Sequence, residues 1–364
     1  MKFVFVGTSR GARGTETHLL SLVRGLAQEG HEVLTVARPE SFIAQELAAS
    51  GLPVEPGIFR NAVDVRGAQA VLRALWRQRP DWLVGSFGHE YWPLLALGRA
   101  TGTPVALFRH LNVPLRPLSR VVLPRLADRF IAVSESMRAL LVAQGIPPER
   151  VRLLYNTLDV AHFRPDARLR AESRRALSVR EDERLVGFVG PFTSDKGAFR
   201  FAQALNEAMA LRPSLRALWV GPEESHPKLR EVIAPALQER HVLRGWASDV
   251  RPLYAAMDVL AMPSEWLETF GRVSIEAQAC GVPVLGSRIG GIPETLREGE
   301  TGWLLPPGDV AAWRDALVSF VDLPEERRRL LGEAGVRFVT ERFSTRRIVE
   351  DFLALLGTPA TLPG

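Results

Sequence analysis

Two glutamates with seven residues between them form the most informative spacing in the chain, in Pro263-Ser264-Glu265-Trp266-Leu267-Glu268-Thr269-Phe270-Gly271-Arg272-Val273-Ser274-Ile275-Glu276. An eight-residue offset turns an α-helix by about 800°, some 80° past two turns, so the pair shares a face only if Glu268 precedes the helix. Ile275, Ala277 and Ala279 surround Glu276. A carboxylate in so apolar a setting needs donors, and two neighbouring ribose hydroxyls suit it; the plainer reading is a pair of surface glutamates. A second loop, Gly190-Pro191-Phe192-Thr193-Ser194-Asp195-Lys196-Gly197, sets a lysine before a helix. Lys2, Lys196 and Lys228 are the only lysines beside 43 arginines, so a lysine here points towards a specific requirement. An ammonium and a helix N-terminus together suit a diphosphate; the alternative is a solvated turn lysine.

Two more loops carry candidate chemistry. Gly7-Thr8-Ser9-Arg10-Gly11-Ala12-Arg13-Gly14-Thr15-Glu16 leads into a helix, and its glycines permit either close approach to a ligand or a tight turn. Its G-x-x-x-G-x-x-G spacing does not match the G-x-G-x-x-G dinucleotide fingerprint, which disfavours a nicotinamide oxidoreductase. His110, in Phe108-Arg109-His110-Leu111-Asn112, follows a strand. The carboxyl end of a parallel strand is a working position for a histidine that would otherwise be structural. His89 also follows a strand and is a weaker candidate. No D-x-D, H-E-x-x-H or cysteine pair occurs, so no metal site is expected.

These loops need strands behind them. Apolar runs at 3–6, 33–36, 82–84, 105–108, 130–133 and 151–154, then at 185–189, 215–220, 241–243, 259–262, 283–285 and 303–305, predict strands. Several lack alternation, as in strands covered on both faces. Helical periods fall at 17–29, 67–78, 135–144, 198–211, 250–256 and 269–280. The alternation predicts an α/β chain of two Rossmann-like, doubly wound parallel-sheet domains facing across a cleft, with ligands beyond the carboxyl ends of the strands. The polar stretch 158–183 marks the break. The domains are expected at 1–165 and 166–345, with 346–364 a helix that crosses back.

Composition agrees with a globular protein: of 364 residues, 46% are hydrophobic and 24% charged. The one cysteine, Cys280, allows no internal disulfide and fits a reducing, cytoplasmic setting. The opening segment is too short for a signal-peptide core, and no apolar run approaches a membrane span. Residues 1–170 carry 22 Lys+Arg against 14 Asp+Glu, a net of +8, while the remainder nets −3. The first half should therefore face an anionic partner. Residues 91–130 hold six arginines and one acid, Asp128, interleaved with Leu118, Val121, Val122 and Leu126. That stretch suits an anionic membrane surface or an anionic acceptor; the plainer reading is a solvated basic face. Without an aromatic-rich basic face, no nucleic-acid partner is expected.

In this setting the chain resembles the family 4 retaining glycosyltransferases, also called group 1, which have the GT-B fold. The resemblance runs from the first strand to the last helix. It rests on Gly14-Thr15-Glu16 followed by Gly30-His31-Glu32-Val33, on the histidine after Pro104-Val105-Ala106-Leu107-Phe108, on Val133-Ser134-Glu135, and on Asn156, Asp159 and Phe163-Arg164-Pro165. It continues through Asp195-Lys196-Gly197, Asp258, Pro263-Ser264, the spaced glutamates, Gly290-Gly291-Ile292-Pro293-Glu294 and Thr301-Gly302.

The resemblance implies metal-independent transfer of a sugar, of hexose type, from a nucleoside-diphosphate donor to an acceptor hydroxyl. The anomeric configuration is retained and no cofactor is used. UDP is expected ahead of GDP or ADP, and the acceptor is a glycan, a lipid-linked sugar or a small molecule in polysaccharide or glycolipid synthesis. His110, Lys196 and Glu268 take the catalytic positions. Glu276 resembles the ribose-binding glutamate, and Glu268 the one that holds the transferred sugar. The amides of Phe270, Gly271 and Arg272, with Thr269 beside them, resemble the sugar and phosphate cradle. Lys196 would neutralise the departing diphosphate, Gly14 and Thr15 would close on the phosphates, and the base would lie near Gly245 and Trp246. Two departures stand out: Pro191 replaces an arginine that the family usually has, and Asn156-Thr157 replaces Asn-Gly. Proline supplies neither charge nor N–H; Arg272, where the family more often has leucine, is expected to restore the charge. A sugar-nucleotide epimerase of the same fold and an inactive nucleotide-sugar binder are the alternative readings. The enzyme is expected in the cytoplasm or on the inner face of the membrane.

Overall fold

The continuous apolar runs become parallel strands because both faces of each are covered by helices. A computed structural model describes residues 1–11, 14–61 and 64–357. It divides into two units, Met1–Leu158 with Phe343–Gly364, and Asp159–Arg342. Both seams fall a few residues before the expected ones.

In the first unit the strands are β1 (Lys2–Gly7), β2 (Glu32–Ala37), β3 (Val54–Pro56), β4 (Trp82–Gly85), β5 (Val105–Arg109), β6 (Arg129–Ala132) and β7 (Val151–Leu153). The helices between them are α1 (Gly14–Gln28), α2 (Phe42–Ala49), α3 (Val65–Gln78), α4 (Tyr91–Thr101), α5 (Pro117–Leu126) and α6 (Glu135–Ala143). All pairings are parallel, in the order β3-β2-β1-β4-β5-β6-β7. In the second unit α7 (Ala167–Ala176) precedes β8 (Arg184–Val189), α8 (Ala198–Leu211), β9 (Leu215–Val220), α9 (His226–Val232), β10 (His241–Arg244), α10 (Arg251–Ala256), β11 (Val259–Met262), α11 (Arg272–Ala279), β12 (Val284–Ser287), β13 (Gly302–Leu305), α12 (Val310–Val321) and α13 (Glu325–Phe343). Its parallel sheet runs β10-β9-β8-β11-β12-β13. Each sheet reverses its strand order once, between β1 and β4 and between β8 and β11. These are the points where open α/β sheets accept ligands.

The last helix, α14 (Thr345–Leu356), belongs to the first unit. Leu158 donates its amide to the Phe343 carbonyl at 2.7 Å and accepts from the Thr345 amide at 3.0 Å. The absence of a side chain at Gly25 lets α14 approach α1, since a Cβ there would lie 2.5 Å from Thr345 and 2.8 Å from Val349. Arg129 caps the end of α14, reaching the carbonyls of Leu355 (2.8 Å) and Leu356 (3.1 Å). Phe352 is fully buried, with its ring 6.0 Å from Phe3, 6.3 Å from Phe5 and 5.9 Å from Phe108.

Several expected boundaries shift for local reasons. The helix expected from 269 begins at Arg272, because Gly271 at φ 98° interrupts the chain before it. The edge strand β3 was outside the expected set; three residues ending in proline give no periodic signal. The polar stretch before the second unit contains α7, which is held by Asp258: its carboxylate takes Arg170 (2.6 Å), Arg174 (3.0 Å) and the Leu185 amide (2.7 Å). The C-terminal helix expected over 346–364 ends at Leu356, with Gly357 at φ 70° after it; residues 358–364 lie outside the described residues.

Removing the Phe352 ring takes a fully enclosed aromatic side chain from this seam. Phe352→Ala is expected to destabilise the first unit by about 3–5 kcal/mol, read by urea unfolding; a loss below about 1 kcal/mol would show that α14 does not complete its core.

Candidate functional site

In the second unit the loops after β8 and β11 meet where the strand order reverses. The Asp195 carbonyl accepts from the amides of Glu265 (2.9 Å) and Trp266 (3.1 Å), which zips the loops together. Gly197, at φ 69°, begins α8; a Cβ there would sit 1.9 Å from the Pro263 carbonyl oxygen, so only glycine fits. The result is a direct bond between the Lys196 ammonium and Glu268 Oε2. Both side chains are partly buried, and such a pair contributes roughly 1 kcal/mol or less. The loops are thus held by backbone bonds and close packing, and the ion pair rides on them.

A third loop closes against the same segment. The Gly291 amide donates to the Glu268 carbonyl at 2.8 Å. Gly290, at φ 59°, would bring a Cβ to 2.2 Å from that carbonyl oxygen. The Gly290-Gly291 pair singled out in the sequence therefore fits the backbone of Glu268–Phe270. Phe270 is buried, while Trp266 on the same loop is 69% exposed.

Glu276 lies one turn into α11 and is 9% exposed. Two side chains answer its need for partners: the Tyr254 hydroxyl donates to Oε2 at 2.8 Å, and Arg272 Nε donates to Oε1 at 2.7 Å. Burial and the adjacent carboxylate raise the Tyr254 phenol well above its usual range, so it remains a donor. Tyr254 was not foreseen; one tyrosine in an apolar helix gives no sequence signal. Arg272 was expected at a phosphate, and its Nε is instead directed at Glu276 one turn ahead. Gly245 follows β10 against Glu223, whose Oε1 would lie 2.6 Å from a Cβ at Gly245, and Trp246 beside it is 57% exposed. Pro191 is exposed, and its carbonyl accepts from the Thr193 amide at 3.0 Å.

In the first unit His110 is 6% exposed at the end of β5. Its ring stacks on Phe108 (5.6 Å, 14°) and meets His18 edge-on (5.3 Å, 60°). Burial, then the charge of Arg109, pushes His110 down to about 3. It is therefore a neutral imidazole near pH 7, able to give or take one hydrogen bond but not to serve as an acid. His18, buried on α1, accepts from the Thr157 amide at 3.2 Å; sequence gave no reason to select it. Gly14 is exposed and Thr15 half-buried at the start of α1, and the preceding residues 12 and 13 lie outside the described residues.

Glu90 is a third residue that carries no sequence signal. It is fully buried where the strand order reverses, and its Oε1 accepts from both the amide and the hydroxyl of Thr8 at 2.7 Å. The Thr8 hydroxyl also meets His89 Nε2 at 3.0 Å. Burial outweighs these bonds and raises Glu90 from 4.5 to about 8. Among the described residues no group of three His, Cys, Asp or Glu side chains could hold a metal ion.

Residues 183–322 match the family Glycosyl transferases group 1, and residues 12–162 match Glycosyltransferase Family 4. The D-inositol 3-phosphate glycosyltransferase of Mycobacterium tuberculosis is 30% identical over 251 residues, 66% of this chain and 51% of that protein. The chain thus spans about half the length of the curated relatives it matches. Among solved structures, Anabaena HepE in complex with UDP and glucose superposes with a TM-score of 0.83 at 20% identity, covering 97% of this chain and 98% of that one. A glycosyltransferase from Rickettsia africae superposes at 0.86 and 19% identity, covering 98% and 97%. These structures share the two-sheet GT-B fold.

The Glu90 proton gives a pH signature. The folded state keeps it up to about 8, whereas the unfolded chain releases it near 4.5. Stability from this group is therefore complete below about 4.5 and falls as pH rises to about 8, by up to about 1.4 kcal/mol per pH unit. Glu90→Gln is expected to flatten that slope in urea unfolding at pH 5 to 8; an unchanged slope would mean the carboxyl is ionised in the fold.

Proposed function

The chain belongs to the group 1, family 4 glycosyltransferases, and from that premise we propose that it moves a hexose from a nucleoside-diphosphate sugar to an acceptor hydroxyl with retention of configuration. UDP is the preferred nucleotide, ahead of GDP and ADP. The observation that carries this reading is the Lys196–Glu268 pair at the strand-order reversal of the second unit: a cation for phosphate and a carboxylate for sugar hydroxyls, held side by side by backbone bonds.

The donor diphosphate takes the Lys196 ammonium, and Glu268 turns from the lysine to the hydroxyls of the sugar. Glu276 has about four acceptor positions; Tyr254 and Arg272 use two, which leaves room for the two ribose hydroxyls. Arg272, anchored on Glu276, brings a guanidinium to the site where Pro191 brings none. The base lies by Gly245 and Trp246. As the bond from the anomeric carbon to the phosphate oxygen breaks, the acceptor oxygen bonds to that carbon from the same face. Its proton passes to the departing phosphate. Charge grows on the diphosphate, and preorganised amides and Lys196 stabilise it there. In this reading the cations act where a metal ion otherwise would. In the first unit the neutral His110 offers a hydrogen-bonding nitrogen at the carboxyl end of β5.

The acceptor binds to the first unit. The product belongs to glycan, polysaccharide or glycolipid synthesis. Leu111, Val113, Leu118 and Val121 are exposed there beside Arg116, Arg120 and Arg125, with no acid between residues 109 and 127. This supports contact with an anionic membrane surface from the cytoplasmic side. Among the described residues no helix is long and apolar enough to cross a membrane.

A thermal-shift screen with UDP, GDP and ADP, followed by assays with their sugars, tests the reaction. Acceptor-dependent release of nucleoside diphosphate is expected. An altered sugar nucleotide without acceptor would indicate an epimerase, and binding without turnover an inactive receptor. Lys196→Met should lower kcat by about 10²–10³-fold in a folded protein, and Arg272→Leu should raise the donor KM; wild-type values in both would refute these roles. The protein should sediment with anionic liposomes at low salt, and Leu118→Asp should weaken this; absence of sedimentation would remove the membrane from the reading.

A further inference from the structure

Three arginines of the first unit stand together at the carboxyl end of its sheet. Arg38 follows β2 directly, Arg10 lies in the loop after β1, and Arg60 lies in the segment after β3. The three strands are adjacent, in the order β3-β2-β1, so the parallel sheet delivers all three residues to one edge. Arg38 Nε reaches the Thr8 carbonyl at 3.4 Å. Partial burial and then the like charges of Arg10 and Arg60 push Arg38 below the usual guanidinium range, and Arg38 in turn helps to lower His89.

No ion pair reaches Arg10, Arg38 or Arg60 among the described residues. Elsewhere in this unit arginines do find carboxylates: Arg24 pairs with Glu46 at 2.8 Å and Arg73 with Glu55 at 3.2 Å. The acids around the cluster are engaged otherwise. Asp64 accepts from the amides of Arg60 (3.1 Å), Arg66 (3.0 Å) and Gly67 (3.3 Å) at the start of α3. Glu16 accepts from Ser9, and Glu90 is buried on Thr8. Arg38 stands between two like charges; Asp64 lies near enough to feel the charge of Arg60 without pairing with it. The excess of positive charge forms a site for a multivalent oxyanion, and planar guanidinium groups suit phosphate best.

We propose that Arg10, Arg38 and Arg60 bind a phosphate group carried by the acceptor. The assignment to the acceptor rests on the reading of this unit as the acceptor side; the phosphate site itself does not. The group lies beside the strand-order reversal, where Thr8, His89 and Glu90 fix the loops after β1 and β4. The phosphate is that of a soluble phosphate ester or of a lipid headgroup.

The test is a calorimetric titration of the full chain, saturated with UDP to occupy the second unit, with inorganic phosphate at constant ionic strength. Wild type should bind phosphate, and Arg38→Gln and Arg60→Gln should each weaken it about tenfold. Arg150→Gln, at the opposite end of the sheet just before β7, should leave affinity within about twofold. Melting in chloride checks that each variant is folded. Absence of phosphate binding, equal affinities in all four proteins, or equal loss in Arg150→Gln would overturn the site. Glycerol 3-phosphate competing in solution would identify a soluble ester. Sedimentation with phosphatidic acid vesicles that exceeds sedimentation with phosphatidylglycerol vesicles in wild type but not in Arg38→Gln would identify a lipid headgroup. Phosphate binding with neither ester bound would overturn the acceptor assignment. Because no sugar donor is turned over, this titration can fail while the transferase reading stands, and the reverse.

Discussion

One carbonyl oxygen, that of Asp195, organises the second unit. By taking the amides of Glu265 and Trp266 it draws the loop after β8 onto the loop after β11, at the place where successive strands diverge and leave a gap above the sheet. The contact is so close that Gly197 has no room for a Cβ, and the loop after β12 meets the same segment closely enough to exclude one at Gly290. Two neutral backbone bonds contribute about 1 kcal/mol each, comparable to the Lys196–Glu268 pair itself. The cation and the carboxylate are thus held side by side by the backbone itself. Preorganisation of this kind lets charge that develops during a reaction meet fixed donors.

The first unit uses burial differently. Glu90 and His110 sit at the carboxyl ends of neighbouring strands, and both are held neutral near pH 7, one with a proton and one without. The buried positions therefore carry hydrogen bonds without charge, while Arg10, Arg38 and Arg60 carry charge with no ion pair among the described residues. The positive balance of residues 1–170 thus has a local form: part lies at the sheet edge beside β1, β2 and β3, and part lies on the apolar-rich segment of α5. Uncharged hydrogen-bonding groups and arginine charge are thus separated in space within one unit.

What could be read in the sequence follows from range. Lys196, Glu268 and Glu276 stood out because each lies in a loop or helix start whose neighbours in sequence define its setting, whereas Gly290-Gly291 entered only as a motif of the resemblance and its backbone contact is visible only in the fold. The two parallel sheets were legible from unbroken apolar runs. Tyr254, His18 and Glu90 were not, because their partners Glu276, Thr157 and Thr8 are distant along the chain and no periodicity records such a pairing. The role expected of Arg272 rested on the resemblance and the missing charge at Pro191, while the four-residue offset on α11 brings its Nε onto Glu276. The helical period from 269 does not show that Gly271, at positive φ, delays the start of α11 to Arg272.

A crystal structure of the chain with UDP tests the central claim most directly. The diphosphate is expected within hydrogen-bond reach of Lys196 Nζ, with Glu268 released from the lysine and both ribose hydroxyls on Glu276. UDP seated away from the loops after β8 and β11, or a Lys196–Glu268 pair left intact beneath the bound nucleotide, would contradict it.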